Sequence, residues 1–203
     1  MFWKTDEPHG LPFNPFKSCI VPRPIGWISS IDTKGNINLA PYSFFNGACS
    51  EPPIVMFGCN GKQPYGLKDT ILNIEQTGEF VCNMSTYELK DSMNLSSASL
   101  TSDTNEFEFA DLDTEPSNLV NVPRVKASPI HMECKYHKTF ELPCNQSGAR
   151  NAIITGHVIG INIHEKALKN GIINIEYLQP LARMGYMDYT FVEKIFTMKR
   201  PDS

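Results

Sequence analysis

Two stretches of this 203-residue chain hold residue types that could bind and work on a small molecule. The first reads N-L-A-P-Y-S-F-F-N-G-A-C-S-E-P-P-I-V-M-F-G-C-N-G-K from Asn38 to Lys62. A strand ends in Ala40-Pro41, an aromatic, glycine and small-polar segment follows, and Pro52-Pro53 stops it before the next strand. Proline removes backbone donors, and small residues let a ligand approach the main chain closely. That combination suits a flat heteroaromatic ring held by backbone amides and a few hydroxyl or amide groups. It also suits an ordinary loop whose phenylalanines plug the core. The second stretch, Lys68-Asp69-Thr70, opens a helix, where free amides, a hydroxyl and a lysine are what a phosphate needs. Its plainer reading is a helix start capped by Asp69. The two lie close in sequence, and a flat ring plus one terminal phosphate is the shape of a mononucleotide.

The elements that must position these stretches are mostly strands. Residues 25–39 read as a hairpin, with Ile25, Trp27, Ser29 and Ile31 on one face and a turn at Asp32–Gly35. Ile54–Cys59 is a continuous apolar run, expected for a strand covered on both faces. Glu79–Met84 gives another strand, with Phe80, Cys82 and Met84 on one side. Ile130–Lys138 alternates: Ile130, Met132, Cys134 and Tyr136 point in, while His131, Glu133, Lys135 and His137 form a solvated face. Ala152–Ile163 is β-branched, with Gly156 and Gly160 placed as bulges or close backbone approaches. Two helices are predicted, one over 68–77 stopped by Gly78, the other opened by a Ser85/Glu88 capping box and running toward Ser96. Residues 96–120 read as a surface excursion and 1–18 as an N-terminal extension of a single mainly β domain over 1–203.

Composition narrows the function. A formal net charge of −4 argues against nucleic acid or an anionic membrane as partner. The first ten residues hold no apolar core of signal-peptide length, and apolar runs such as Ile54–Phe57 fall far short of the ~20 residues of a membrane span. A cytoplasmic protein is expected. Cysteines 19, 49, 59, 82, 134 and 144 are scattered without a Cys-x-x-Cys, and several sit in strand patterns as small hydrophobes. Neither a disulfide framework nor a metal site is expected. Cys49 and Cys59 have no basic neighbour in sequence and read as packing groups rather than nucleophiles. No Gly-x-Gly-x-x-Gly or P-loop occurs, so NAD(P)H, if used, has no Rossmann domain to receive it.

Several blocks, in order, resemble the flavin reductase-like family, the FMN-binding split barrels. They are V-P-R-P-I at Val21–Ile25 leading into W-I-S-S, A-P-Y-S-F-F-N-G-A-C-S-E-P-P, and K-D-T-I-L-N-I-E-Q-T-G-E-F-V-C-N. N-E-F-E-F-A from Asn105, P-R-V-K-A-S-P from Pro123, Gly156–Val158, P-L-A-R-M-G-Y from Pro180 and the closing F-T-M-K-R-P follow. The resemblance implies a mainly β fold, a Greek-key split barrel with a few peripheral helices, and FMN at a homodimer interface; FAD remains open. It places Ser43, Asn46, Gly47, Ala48 and Cys49 along the isoalloxazine ring and ribityl chain, with Cys59 and Asn60 closing the pocket. It gives Lys68 and Thr70 the phosphate, Asp69 the orienting of the loop, and Arg23 and Arg183 phosphate or substrate contacts.

Two departures bear on NAD(P)H. Where many members carry Gly-Asp-His, this chain has Asn145-Gln-Ser-Gly-Ala-Arg-Asn151. His157 comes later, within the strand, where a lone histidine is ordinarily a packed or edge residue, and no catalytic side chain is expected because the flavin carries the chemistry. The common R-x-G-G is Arg183-Met-Gly-Tyr186, without its second glycine. The resemblance implies an NAD(P)H-dependent reductase of flavin or another small acceptor, with a non-enzymatic FMN electron carrier for protein partners as the alternative.

Overall fold

The computed structural model describes residues 1–201. Strands β1 (Gly26–Ile31) and β2 (Ile37–Tyr42) form the expected hairpin, pairing Trp27 with Pro41 and Ile31 with Ile37. The Asp32 carboxylate shapes its turn by accepting the Lys34 and Asn36 amides, both at 2.8 Å. β2 continues through Pro41 because it lies at a sheet edge, where a residue without an N–H is tolerated.

Strands β3 (Phe45–Ser50), β4 (Pro53–Gly61), β5 (Glu79–Met84), β6 (Ile130–Leu142) and β7 (Arg150–Ile163) complete one antiparallel sheet, in the order β2-β1-β5-β6-β7-β4-β3. β2 and β4 are far apart in that order, yet the Tyr42 and Phe57 rings lie 4.9 Å apart. The sheet is therefore rolled around a shared core that includes Ile28, Phe57, Phe80, Cys82, Cys134 and Ile154. Rolled but unpaired between its β2 and β3 edges, it is a split barrel. Helix α1 (Asp69–Thr77) adds Ile71 and Ile74 to that core and ends at Gly78, whose φ of 74° is the left-handed cap that glycine adopts without penalty. The pairing of β6 and β7 shifts register at Gly156 and at Gly160, as expected of bulges; a Cβ on Gly156 would run into the buried Phe80 ring.

Other expectations change. Ser85 and Glu88 do not open a helix, and α2 (Lys90–Leu95) starts later. The chain before it is already paired: Leu181 N–H donates to Ser85 O and Tyr87 N–H to Gln179 O, each at 3.0 Å. Residues 96–120 are more than a surface excursion. Their short helix α3 (Glu106–Phe109) sinks Phe107 against Trp27, Leu39 and Met93, covering the outer face of the β1–β2 hairpin. The following residues cover β6, so His131 and Glu133 are buried rather than solvated. Glu133 accepts the Asn118 and Leu119 amides at 2.9 and 2.6 Å, and His131 Nε2 lies 2.8 Å from Val125 O. Lys135 and His137 do stay exposed. On β4 only Val55, Phe57 and Cys59 are buried; Ile54, Met56 and Gly58 are half-buried, because that face borders a cavity.

A smaller sheet joins Arg23–Pro24 to β8 (Leu181–Arg183) and β9 (Tyr189–Phe191), with Arg23 directly opposite Arg183.

Candidate functional site

The cavity beside β4 has a volume of about 450 Å³ and lies between the start of β3, the facing stretch of β7 and the segment before β1. Ser43, Asn46, Asn60 and Arg23 line it, so the structure brings these four predicted residues together. Its walls are otherwise apolar, from Phe44, Met56, Ile153 and Leu142 among others. Gly58 makes this arrangement fit. Its N–H donates to Phe44 O at 2.8 Å, and a Cβ there would come within 3.2 Å of the Phe44 Cβ.

Two backbone and side-chain features leave hydrogen-bonding capacity open at this cavity. β3 is the outer strand of the sheet and Asn46–Ser50 are exposed, so amides on its free side have no ladder partner. Asn60 Oδ1 is buried and has no partner among the described residues, an uncommon state for a buried acceptor and one that a ligand N–H would relieve.

The remaining predicted residues lie elsewhere. Gly47, Ala48 and Cys49 continue along exposed β3, and the Cys49 sulfur sits 3.3 Å from Glu51 O. Cys59 does not close the cavity. Strand alternation turns it into the core, 3.7 Å from the Tyr42 hydroxyl, and burial pushes its thiol pKa up, as suits a packing group. His157 is half-buried on β7 with Nε2 3.2 Å from His137 Nδ1, and it does not reach the cavity. Arg183 lines a neighbouring cavity, which shares Arg23 and Ser43 with the first.

At the start of α1, Lys68 occupies the cap position with no side-chain cap bond, and its ammonium lies 5.4 Å from the Tyr42 ring centre. The first-turn amides are therefore free of side-chain capping. Asp69 is not the cap; it accepts Ser102 Oγ at 2.7 Å. Thr70 is buried and points inward, its hydroxyl donating to Asn38 Oδ1 at 2.7 Å. Asn38 Nδ2 donates in turn to Glu106 Oε1 at 2.9 Å, and Leu39 N–H to Glu106 Oε2 at 3.2 Å. This buried chain ties the helix start to β2, and burial raises the Glu106 carboxyl pKa.

Sequence reasoning missed Phe44, Met56, Leu142 and Ile153 as cavity walls. Gly58, interrupting an apolar run, was the one local signal; Leu142 and Ile153 arrive through the register of β6 and β7, which no local pattern encodes.

Residues 17–190 match the flavin reductase like domain. The chain belongs to that family. A relative from Aquifex aeolicus, described only as an uncharacterized protein, is 36% identical over 167 residues, covering 82% of each chain. Among solved structures, nitrilotriacetate monooxygenase component B from Bacillus cereus superposes with a TM-score of 0.86 at 26% identity, covering 98% of each chain. The Pseudomonas fluorescens 2-nitrobenzoate 2-nitroreductase NbaA superposes with a TM-score of 0.79 at 26% identity, over 92% of this chain and 88% of that one. Family membership assigns the protein a flavin-related oxidoreductase role. No described helix is long and apolar enough to cross a membrane.

Proposed function

We propose that the protein binds FMN and uses it to move electrons from NAD(P)H to a small acceptor. The observation that carries this reading is the cavity beside β4. It combines apolar walls, an exposed strand edge and the unpartnered Asn60 Oδ1, and its volume falls within the range of about 300–1,000 Å³ usual for ligand sites. These residues fit the group: an isoalloxazine ring presents flat apolar faces and, at its pyrimidine end, an N–H donor for Asn60 beside carbonyls for backbone amides. Ser43 and Asn46 stand at the same wall to fix the ring's orientation. Lys68 and the free amides of α1 would hold the phosphate, with Asp69 and the inward-facing Thr70 keeping that helix start in place.

When bound, FMN supplies the two-electron chemistry, and the chain supplies position and electrostatics. Phe44, Met56 and Ile153 exclude water from one side of the site. No side-chain acid or base is assigned, and His157 is left out of the chemistry by its place beside His137. The nitroreductase and monooxygenase-component neighbours support a redox role toward a small molecule. We also place the active form as a homodimer, since Phe16, Ile20 and Leu142 at the cavity are 60%, 45% and 39% exposed in the single chain. Six unpaired cysteines suit a reducing, cytoplasmic compartment.

The test is the visible spectrum of the purified protein, followed by anaerobic addition of NADH and then NADPH. Flavin bands that bleach within seconds are expected. Bands that persist with both donors would mean an electron carrier, and a colourless protein that takes up no FMN would end the reading.

A further inference from the structure

Arg23 and Arg183 are placed directly opposite each other on adjacent antiparallel strands. Like charges at such positions repel, and a sheet ordinarily avoids them or sets a carboxylate nearby. Among the described residues neither arginine forms an ion pair. Arg23 is only 5% exposed, and its Nε is buried with no hydrogen-bond partner among the described residues. Its Nη1 is occupied, donating to the carbonyls of Lys17, Ile20 and Met184. Burial, and after it the Arg183 charge, lower the Arg23 pKa. Arg183 stacks over Tyr189 with its guanidinium 4.2 Å from the ring centre, and donates to Tyr186 O at 2.6 Å.

Both arginines line one cavity of about 200 Å³ together with Lys17, Ser43, Ser97 and Tyr189. Three cations meet four hydroxyl-bearing residues there, Ser43, Ser97, Tyr186 and Tyr189, and no carboxylate among the described residues lines it. The wall that carries Lys17 is fixed. Gly185 packs so closely on Ser18 that a Cβ at 185 would overlap the serine, and Phe13 packs on Tyr186 with ring centres 5.7 Å apart. Tyr186, at the second-glycine position of the family motif, holds a left-handed φ of 52°, a conformation costly for a residue with a side chain. The fold thus accepts strain and charge repulsion to assemble this corner.

We propose that this corner is an oxyanion site, separate from the phosphate-binding start of α1, which takes the phosphate or carboxylate group of the molecule that exchanges electrons with the flavin. The inference rests on the flavin reading above, because the cavity shares Arg23 and Ser43 with the proposed ring site. Charge decides the class of ligand. Two arginines and a lysine without a counter-charge bind a planar or tetrahedral oxyanion through charge-assisted hydrogen bonds, and the buried Arg23 Nε–H still lacks a partner.

The probe is inorganic phosphate, titrated into FMN-loaded and riboflavin-loaded protein while the arginine Nε–H resonances are followed by NMR. A saturable shift at Arg23 in both forms is expected. Arg183→Gln, at a half-buried position, should weaken phosphate about tenfold, the loss of one charged partner, with an unchanged melting temperature. Lys17→Gln, at an exposed position, is the second variant should Arg183→Gln fold poorly. Phosphate that binds the riboflavin form but is excluded from the FMN form would assign the site to the cofactor's own phosphate and overturn the proposal. The absence of a saturable shift, or equal binding by both variants and the parent, would overturn it as well. If the protein takes up no FMN, the function proposed above fails, whereas the phosphate shift at Arg23 in the flavin-free protein still decides the anion site.

Discussion

Replacing Thr70 by valine keeps the shape of a buried side chain and deletes one hydroxyl. Thr70 is 1% exposed, and its Oγ1 donates to Asn38 Oδ1 at 2.7 Å. The other donor to that oxygen, Ser30 Oγ, is a marginal 3.4 Å away. Valine therefore leaves a buried amide oxygen almost unserved, which costs about 1–3 kcal/mol. For a chain of this size each kcal/mol shifts the melting temperature by about 2–4 °C, so Thr70→Val should melt about 2–12 °C below the parent. Thermal melts of the flavin-free protein read this directly. The Asn38→Ala background supplies the decisive control. There the Thr70 hydroxyl has lost its acceptor, and Thr70→Val should become neutral or stabilising. A valine penalty of equal size in both backgrounds would refute the Thr70–Asn38 bond as the clamp on α1, as would a loss below about 0.5 kcal/mol in the parent, the size expected for a surface site.

Arg150 bridges Glu75 and Glu141, donating to Glu75 Oε2 at 2.7 Å, and this hydrogen bond holds the Glu75 carboxyl below its ordinary pKa. The folded value lies below the unfolded one of about 4.3, so the contribution is present above that pH and lost as pH falls through the folded value. Glu75 is 27% exposed, and Glu75→Gln should cost about 1 kcal/mol at pH 7, with the gap to the parent closing in acid; a gap that persists at pH 3 would contradict the assignment. Gly156→Ala would push a methyl into the buried Phe80 ring and should destabilise by about 1–3 kcal/mol. Phe80→Leu costs stability by itself but should recover part of that loss in the double variant, and strict additivity in chemical denaturation would count against the steric account.

The strands were legible because period-two alternation and β-branched runs are local properties. The β1–β2 hairpin, Glu79–Met84, helix 68–77 with its Gly78 stop, and the two glycine irregularities of β7 stand where the pattern put them. The face assignment of β6 was illegible. His131 and Glu133 look solvated until the chain around 118–125 lies over them and supplies amides to the carboxylate. The Ser85/Glu88 pair failed for a related reason: its backbone was more useful paired with residues 179–181 than at a helix start.

The candidate site divides the same way. Residue types near 43–60 and 68–70 suited a flat ring and a phosphate, but they equally suited a core-plugging loop and a capped helix start, and the order of the sequence blocks carried the resemblance to a flavin family. Which of them meet depended on side-chain direction in the folded sheet. Strand alternation sent Cys59 inward and Asn60 to the cavity, and the roll of the sheet turned Thr70 toward Asn38. The pairing of Arg23 with Arg183, 160 positions apart, exists only in the register of a small sheet. The sequence by itself determined most of the elements and the family, because these follow from local periodicity and from the order of the residue blocks along the chain. Only the tertiary structure decided which faces are covered and which charges become neighbours, because long-range pairing brings together residues that carry no trace of one another in the chain.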